Sequence, residues 1–215
     1  MTGIRALLLD VDGTILDTHE FILQATEHSL AAHGYAPVPR EKITEAIGLE
    51  FDDFYKYILG RADFDPLPLQ TAHRTFQLEH LDLSTPFPDT VATLEELARR
   101  GYKMAAVTNR RRATLLPTLD KENMIRFFDA MIAVEDAPVL KPSPVPLELA
   151  MEHMGVTAAE TAMIGDTDID IQAGKAAGVY TVRARYGIGQ DGGTLEADLN
   201  LDTGISELLE LLPPL

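Results

Sequence analysis

Hydrophobic positions cluster early in the chain as IRALLLD, a run too short for a stable helix and without polar alternation, which predicts a strand buried on both faces. From Asp17 to about Leu83 the spacing turns helical. The stretch DTHEFILQATEHSLAAHG carries a candidate capping pair in Asp17 and Glu20 and stops at Gly34, and helical stretches follow near Glu41 to Ile47, Phe51 to Leu59 and Leu69 to Leu81. No strand pattern interrupts them. Past the punctuation STPFPD at Ser84 to Asp89, helices and strands alternate: DTVATLEELARRG before YKMAAVTN, a helix through Leu115 before AMIAVE, SPVPLELAMEHMG before TAMIGD, and IDIQAGKAAG before VYTVRA. Alternation of this kind predicts a parallel sheet covered by helices. A first strand separated from the rest by an all-helical block predicts an insertion into an α/β core.

Composition narrows the function. The 215 residues suit one large or two small domains, and 46% hydrophobic with 24% charged residues is an ordinary globular balance. A net charge of −16 without an offsetting basic run disfavours nucleic acid and anionic membrane surfaces as partners. The cluster Arg110, Arg111 and Arg112 reads as a solvated helix start, or otherwise as a small anion-attracting rim. There are no cysteines, which excludes disulfides and thiolate chemistry. Neither a signal-like segment nor an apolar run of membrane-spanning length is visible, so a cytoplasmic location is expected.

The polar residues that end the strands carry the chemistry. Asp10 and Asp12 follow the first strand, Thr108 and Asn109 the second, Asp166 and Asp170 the fourth, and Lys141 sits in the loop after the third. Carboxyl ends of neighbouring parallel strands share a crevice, so these residues are expected to converge. Buried carboxylates need a counter-charge, and a hard divalent cation, Mg²⁺ foremost, suits an oxygen-rich cluster of this kind. The six histidines show no metal-ligand spacing, and Met151, Met154 and Met163 read as core packing. His19, just past the expected hinge, reads as a helix-end or surface residue, or otherwise as a substrate contact.

The motifs DVDGT at Asp10 to Thr14, VTN at Val107 to Asn109, KPSP at Lys141 to Pro144 and GDTDID at Gly165 to Asp170, in that order, resemble the haloacid dehalogenase-like hydrolase superfamily. The likeness spans nearly the whole chain and is to phosphatases with a helical cap, of the phosphoglycolate phosphatase-like type. It implies an α/β, Rossmann-like parallel core of strand order 3-2-1-4-5 formed by residues 1–16 and 84–215, with a helical cap over 17–83. It also implies a Mg²⁺-dependent phosphomonoester hydrolase acting on a small phosphorylated metabolite, as a monomer or homodimer. Asp10 would be the nucleophile that forms an aspartyl phosphate, and Asp12 would protonate the leaving oxygen and later activate water. Gly13 would turn the chain away from the strand and, with Thr14, Thr108, Asn109 and Lys141, would hold the phosphoryl group; Lys141 would also neutralise developing charge. The metal would be held by Asp10, Asp166 and the backbone carbonyl of Asp12, with Asp170 nearby or orienting a metal-bound water. Asp168 reads as a helix N-cap or a solvent-facing carboxylate, tolerant of substitution.

Departures separate relatives of this family. Dehalogenating members do not keep an acid at Asp12, so its presence points to phosphate esters. Sugar phosphomutase members tend to have a histidine where this chain has Ile22, and phosphonate-cleaving members need a cap lysine, for which Lys42 and Lys56 are the available residues. Asp89 stands in FPDT where relatives often have glycine. The alternatives to a phosphatase are a phosphomutase or a non-catalytic phosphometabolite-binding protein of the same fold, and a receiver domain, which lacks an inserted cap.

Overall fold

The structure, a computed structural model, describes residues 1, 3–188 and 193–215. The first strand, β1 (Ala6–Leu9), is followed by a two-residue strand β2 (Leu16–Asp17) and by helices α1 (His19–Ala32), α2 (Arg40–Glu45), α3 (Phe51–Leu59) and α4 (Leu67–Glu79). The chain returns through β3 (Thr85–Pro86) and then alternates: α5 (Thr90–Arg99), β4 (Lys103–Val107), α6 (Arg112–Lys121), β5 (Ala130–Ile132), α7 (Val145–Met154), β6 (Thr161–Gly165), α8 (Asp168–Ala177) and β7 (Tyr180–Ala184). It closes with β8 (Leu199–Leu201) and α9 (Leu208–Leu211).

Among the described residues the main sheet runs β5-β4-β1-β6-β7-β8, all pairs parallel. In chain order of the core strands this is the expected 3-2-1-4-5 with a sixth strand added at the edge. That strand, Leu199–Leu201, is three residues long within DLNLD and carries too little pattern to stand out in the sequence. β1 is central and wholly buried, and its period-two side chains feed two separate cores. Leu7 and Leu9 join Met104, Ala106 and Ile164 on one face, packed under α5 and the C-terminal segment. Ala6 and Leu8 join Ala105, Val107, Met163 and Leu147 on the other.

The helices α1 to α4 bury a third core of their own, with Leu23, Leu30, Ile43, Tyr55 and Leu69 at its centre. A hydrogen bond from Ser29 Oγ to the Leu69 carbonyl at 2.7 Å ties α1 to α4. The chain enters and leaves this block side by side, because β2 and β3 pair antiparallel with Leu16 opposite Pro86 and Asp17 opposite Thr85. Asp89, which stands where members of the resembling family often have glycine, adopts φ 66°; aspartate is among the few side chains that accept this left-handed conformation.

The start of α1 differs from the expected capping pair. Thr18 is the N-cap and no side chain caps it, while Asp17 Oδ1 accepts from the His19 amide at 3.3 Å and Glu20 instead pairs with Arg40. His19, expected as a helix-end residue, opens the helix with Nε2 2.8 Å from Thr44 Oγ1.

Candidate active site

The parallel register explains why distant residues meet. Leu9 lies level with Ala106 and Ile164, so Asp10, the Val107–Thr108 pair and Gly165–Asp166 all emerge at one edge of the sheet. Asp10 N donates to Ile164 O and Thr108 N to Ile132 O, which fixes both residues at the strand ends. Lys141 reaches in from the loop after β5. Its Nζ donates to Asp10 Oδ1 at 2.7 Å, Asp170 Oδ1 at 2.7 Å and the Val107 carbonyl at 2.8 Å, so all three ammonium protons are used. Asn109 holds the lysine in place: its Oδ1 accepts from Lys141 N and its Nδ2 donates to Lys141 O.

Beside Lys141 the carboxyl groups of Asp10, Asp166 and Asp170 are buried and offer oxygens within 4.8 Å of one another. Burial first, then Asp170, pushes the Asp10 carboxyl well above the usual carboxylate range, against the pull of Lys141. Burial alone would pull Lys141 down, but Asp10 and Asp170 outweigh it and hold the ammonium charged. Lys141 meets two of the three carboxyl groups, Asp10 and Asp170. The donors are hard oxygens and the excess charge is negative, so the cluster fits a hard divalent metal ion. Asp170 is held at both oxygens: Lys141 binds one, and Thr167, the N-cap of α8, donates to the other through its amide and hydroxyl. The Asp166 oxygens face Thr14 Oγ1 at 3.4 Å and the Ile188 amide at 3.0 Å.

Asp12 stands apart from this cluster. Its Oδ1 accepts from Arg110 Nη1 at 3.0 Å, and the Arg110 guanidinium is bound on every side. It donates to Ser84 Oγ, Thr114 Oγ1, the Thr114 carbonyl and Thr118 Oγ1, and lies 4.7 Å over the Phe21 ring. Arg110 is only 8% exposed. This corrects the reading of Arg110 as part of a solvated helix start: an arginine can be buried here because Asp12 supplies the charge and the hydroxyls accept its remaining protons.

Other expected residues fall into two groups. Thr108 and Asn109 line the crevice above Lys141, with Asn109 Nδ2 also donating to the Gly48 carbonyl of the helical block at 3.1 Å. Gly13 and Thr14, expected to hold the phosphoryl group, are not among the described residues lining the crevice. Gly13 has φ 82°, and a Cβ there would fall 2.2 Å from Asp166 Oδ2, so this glycine lets Asp166 approach the β1 loop. Thr14 presents its hydroxyl to Asp166 and its carbonyl to the Tyr186 hydroxyl.

Asp168 is neither the N-cap of α8, which is Thr167, nor a free surface carboxylate. It pairs with the buried Arg183 and accepts from the Thr194 and Leu195 amides, while Arg183 also donates to the Asp166 carbonyl. Arg183 lies in β7 and Thr194 and Leu195 follow it, and no motif marked any of the three.

Above the strand ends lies a crevice of about 290 Å³. Its floor is Asp10, Asp12, Thr108, Asn109, Lys141 and Asp170, and its opposite wall comes from α3, α4 and the loop before α3.

Comparison with known proteins agrees with this geometry. The model of the haloacid dehalogenase-like hydrolase family matches residues 7–184. The chain is 32% identical over 217 residues to a phosphoglycolate phosphatase of Cupriavidus necator, covering 98% of this chain and 92% of that protein. It is 33% identical to the pyrophosphatase PpaX of Halalkalibacterium halodurans over 87% of each. In fold it is similar to CbbY of Rhodobacter sphaeroides, solved with phosphate, at a TM-score of 0.83 and 22% identity over 96% of both chains. With its acidic strand ends, its buried lysine and these relatives, the chain belongs to the haloacid dehalogenase-like hydrolase family and is a phosphatase of that family.

Proposed function

We propose that the protein is a Mg²⁺-dependent phosphomonoester hydrolase of the cytoplasm that acts on a small phosphorylated metabolite through an aspartyl phosphate on Asp10. The observation that carries this is the contact of Asp10 with Lys141 at the floor of a crevice walled by α3 and α4. Asp10, Asp166 and the carbonyl of Asp12 would hold the metal, with Asp170 beside them, and the bound ion would supply charge that draws a phosphate dianion toward a carboxylate. Asp10 attacks phosphorus; its oxygen gains the bond to phosphorus as the bond to the ester oxygen breaks. Asp12 delivers a proton to that leaving oxygen, then takes one from the water that displaces Asp10 and releases inorganic phosphate. The Arg110 ion pair is the resting position of Asp12, from which it turns toward the leaving group. Lys141 stays fixed by Asn109 and Asp170 and balances the charge that develops on the phosphoryl oxygens.

The block 17–83 acts as a cap that keeps water and large substrates from Asp10. Support comes from the paired crossings β2 and β3, a natural hinge, and from the bond between Asn109 and the Gly48 carbonyl, which joins the block to the floor. The substrates named for the two relatives, phosphoglycolate and pyrophosphate, are both small anions of the size this crevice admits. The test is phosphate release from a panel of small phosphoesters with and without a chelator. Mg²⁺-dependent release that Asp10→Asn abolishes is expected; undiminished release after exhaustive chelation would contradict the reading.

A further inference from the structure

The cap wall of the crevice carries a cation that catalysis at Asp10 does not use. Arg74, on α4, places its guanidinium 5.1 Å from the Phe51 ring centre and donates from Nη2 to Gln70 Oε1 at 3.0 Å. That partner is a neutral amide, and Gln70 turns its own amide group to Asp52, so the amide stands between the arginine and that carboxylate. The Arg74 Nε is buried without a hydrogen-bond partner. Across the crevice, on the core side, Arg111 also lines the wall, and its link to Glu135 is long at 3.5 Å and exposed. Burial first, then the nearby charge of Arg111, pulls the Arg74 pKa below the ordinary arginine range, with Glu135 and Asp52 only partly offsetting the effect.

Two arginines therefore line one small cavity, Arg74 from the cap and Arg111 from the core, beside the carboxylates of Glu50 and Asp52, in a chain whose net charge is −16. Like charges brought close in a partly desolvated crevice carry a cost, and an anion lying between them would reduce it. Planar guanidinium donors suit a carboxylate or phosphate in particular, because both present paired oxygens. Phe51, packed against Arg74, and Ile22 and Leu78 supply apolar lining to the same cavity, alongside the polar Gln70 and Asp52. We infer that Arg74 and Arg111 form a subsite for a second anionic group on the substrate, so that the enzyme selects phosphate esters bearing a carboxylate or a further phosphoryl group over esters with an uncharged tail. This rests on the phosphatase reading above and adds to it the class of substrate and the residues that choose it.

The shared chemistry is a second anion held at the far side of a small crevice from the reacting phosphorus. The experiment compares kcat/KM of the full chain with Mg²⁺ for three compounds: a phosphorylated 2-hydroxy acid, inorganic pyrophosphate, and 2-hydroxyethyl phosphate, whose tail is uncharged. The wild type is expected to favour at least one of the first two over the third, and which one shows whether the anion is carboxylate or phosphate. Arg74→Gln and Arg111→Gln should each reduce that preference by about tenfold or more, mainly through KM, and Arg74→Lys should recover part of it because charge is restored without the planar fork. Turnover of the uncharged-tail ester by each variant reports that it is folded. A preference unchanged in both glutamine variants, or a wild type that favours the uncharged tail, overturns the subsite while leaving the phosphatase reading intact. A wild type that hydrolyses none of the three overturns both.

Discussion

Lys141 spends all three ammonium protons on Asp10, Asp170 and a backbone carbonyl, so it is held by geometry as well as charge. Lys141→Ala is expected to lower kcat at least about 100-fold, the scale of a lost transition-state charge stabiliser, and steady-state kinetics would show it. Activity near that of the wild type would make Lys141 a packing residue. Asp168 calls for a different forecast from the tolerance its position in GDTDID suggested. Removing it strips the buried Arg183 of its carboxylate; because Asp168 is itself one-third exposed at 33%, the cost is discounted to about 2 kcal/mol rather than that of a fully buried pair. Thermal unfolding of Asp168→Ala should fall by roughly 4–8 °C, while its turnover per folded molecule changes little. At this scale the sequence revealed the residues that bear charge at strand ends, since Asp10, Asp166 and Lys141 sit in recognisable motifs. It hid Arg110 and Arg183, because what makes an arginine buried is the partner it finds across the fold, here Asp12 and Asp168.

Among the elements, the cap helices show how burial changes a titrating group. His73 on α4 packs against Phe51, Phe54 and Tyr55, with Nδ1 3.0 Å from the Tyr55 hydroxyl. Burial first, then Arg74, pulls its pKa from 6.5 down to about 3. The unfolded chain then binds this proton at higher pH than the folded one, so stability falls as pH drops from about 6.5 toward 3. At pH 5 the loss is about 2 kcal/mol, from roughly 1.5 pH units at 1.36 kcal/mol each. Denaturant unfolding at pH 7 and pH 5 should show a smaller difference for His73→Gln, which keeps a partner for Tyr55; an equal difference would clear His73 of this role. The helical spacing of 17–83 was legible because α3 and α4 each bury one face, and Phe51 to Leu59 was read to the residue. β2 and β3 were not, because two-residue strands are defined by each other and not by local pattern.

For the whole molecule, the alternation of helix and strand after Asp89 was enough to predict a helix-covered parallel sheet, while its order around β1 came with the family resemblance. The C-terminal edge was less visible. Leu201, Ile205, Leu208 and Leu212 complete the core above β1, but they are spread over a short strand and brief helical turns without a sustained period. Gathering three carboxyl groups in the interior also sets the molecule's response to metal. If the cluster binds Mg²⁺ in the folded state alone, free metal at about 100 times its dissociation constant adds about 2.7 kcal/mol of stability. For a chain of this length that raises the melting temperature by roughly 5–10 °C. Asp166→Asn should lose most of the rise; an equal rise in the variant would place the metal elsewhere.

In the proposed reaction Asp10 becomes phosphorylated and Asp12 is needed to remove the phosphoryl group. Intact mass of Asp12→Asn and Asp10→Asn, each mixed with Mg²⁺ and an activated phosphoryl donor whose leaving group needs little protonation, tests it directly. One added phosphoryl group is expected on Asp12→Asn, because the neutral amide at position 12 leaves attack by Asp10 possible but cannot activate water, and none on Asp10→Asn. Labelling of the Asp10 variant, or full turnover by the Asp12 variant without any trapped adduct, would contradict it.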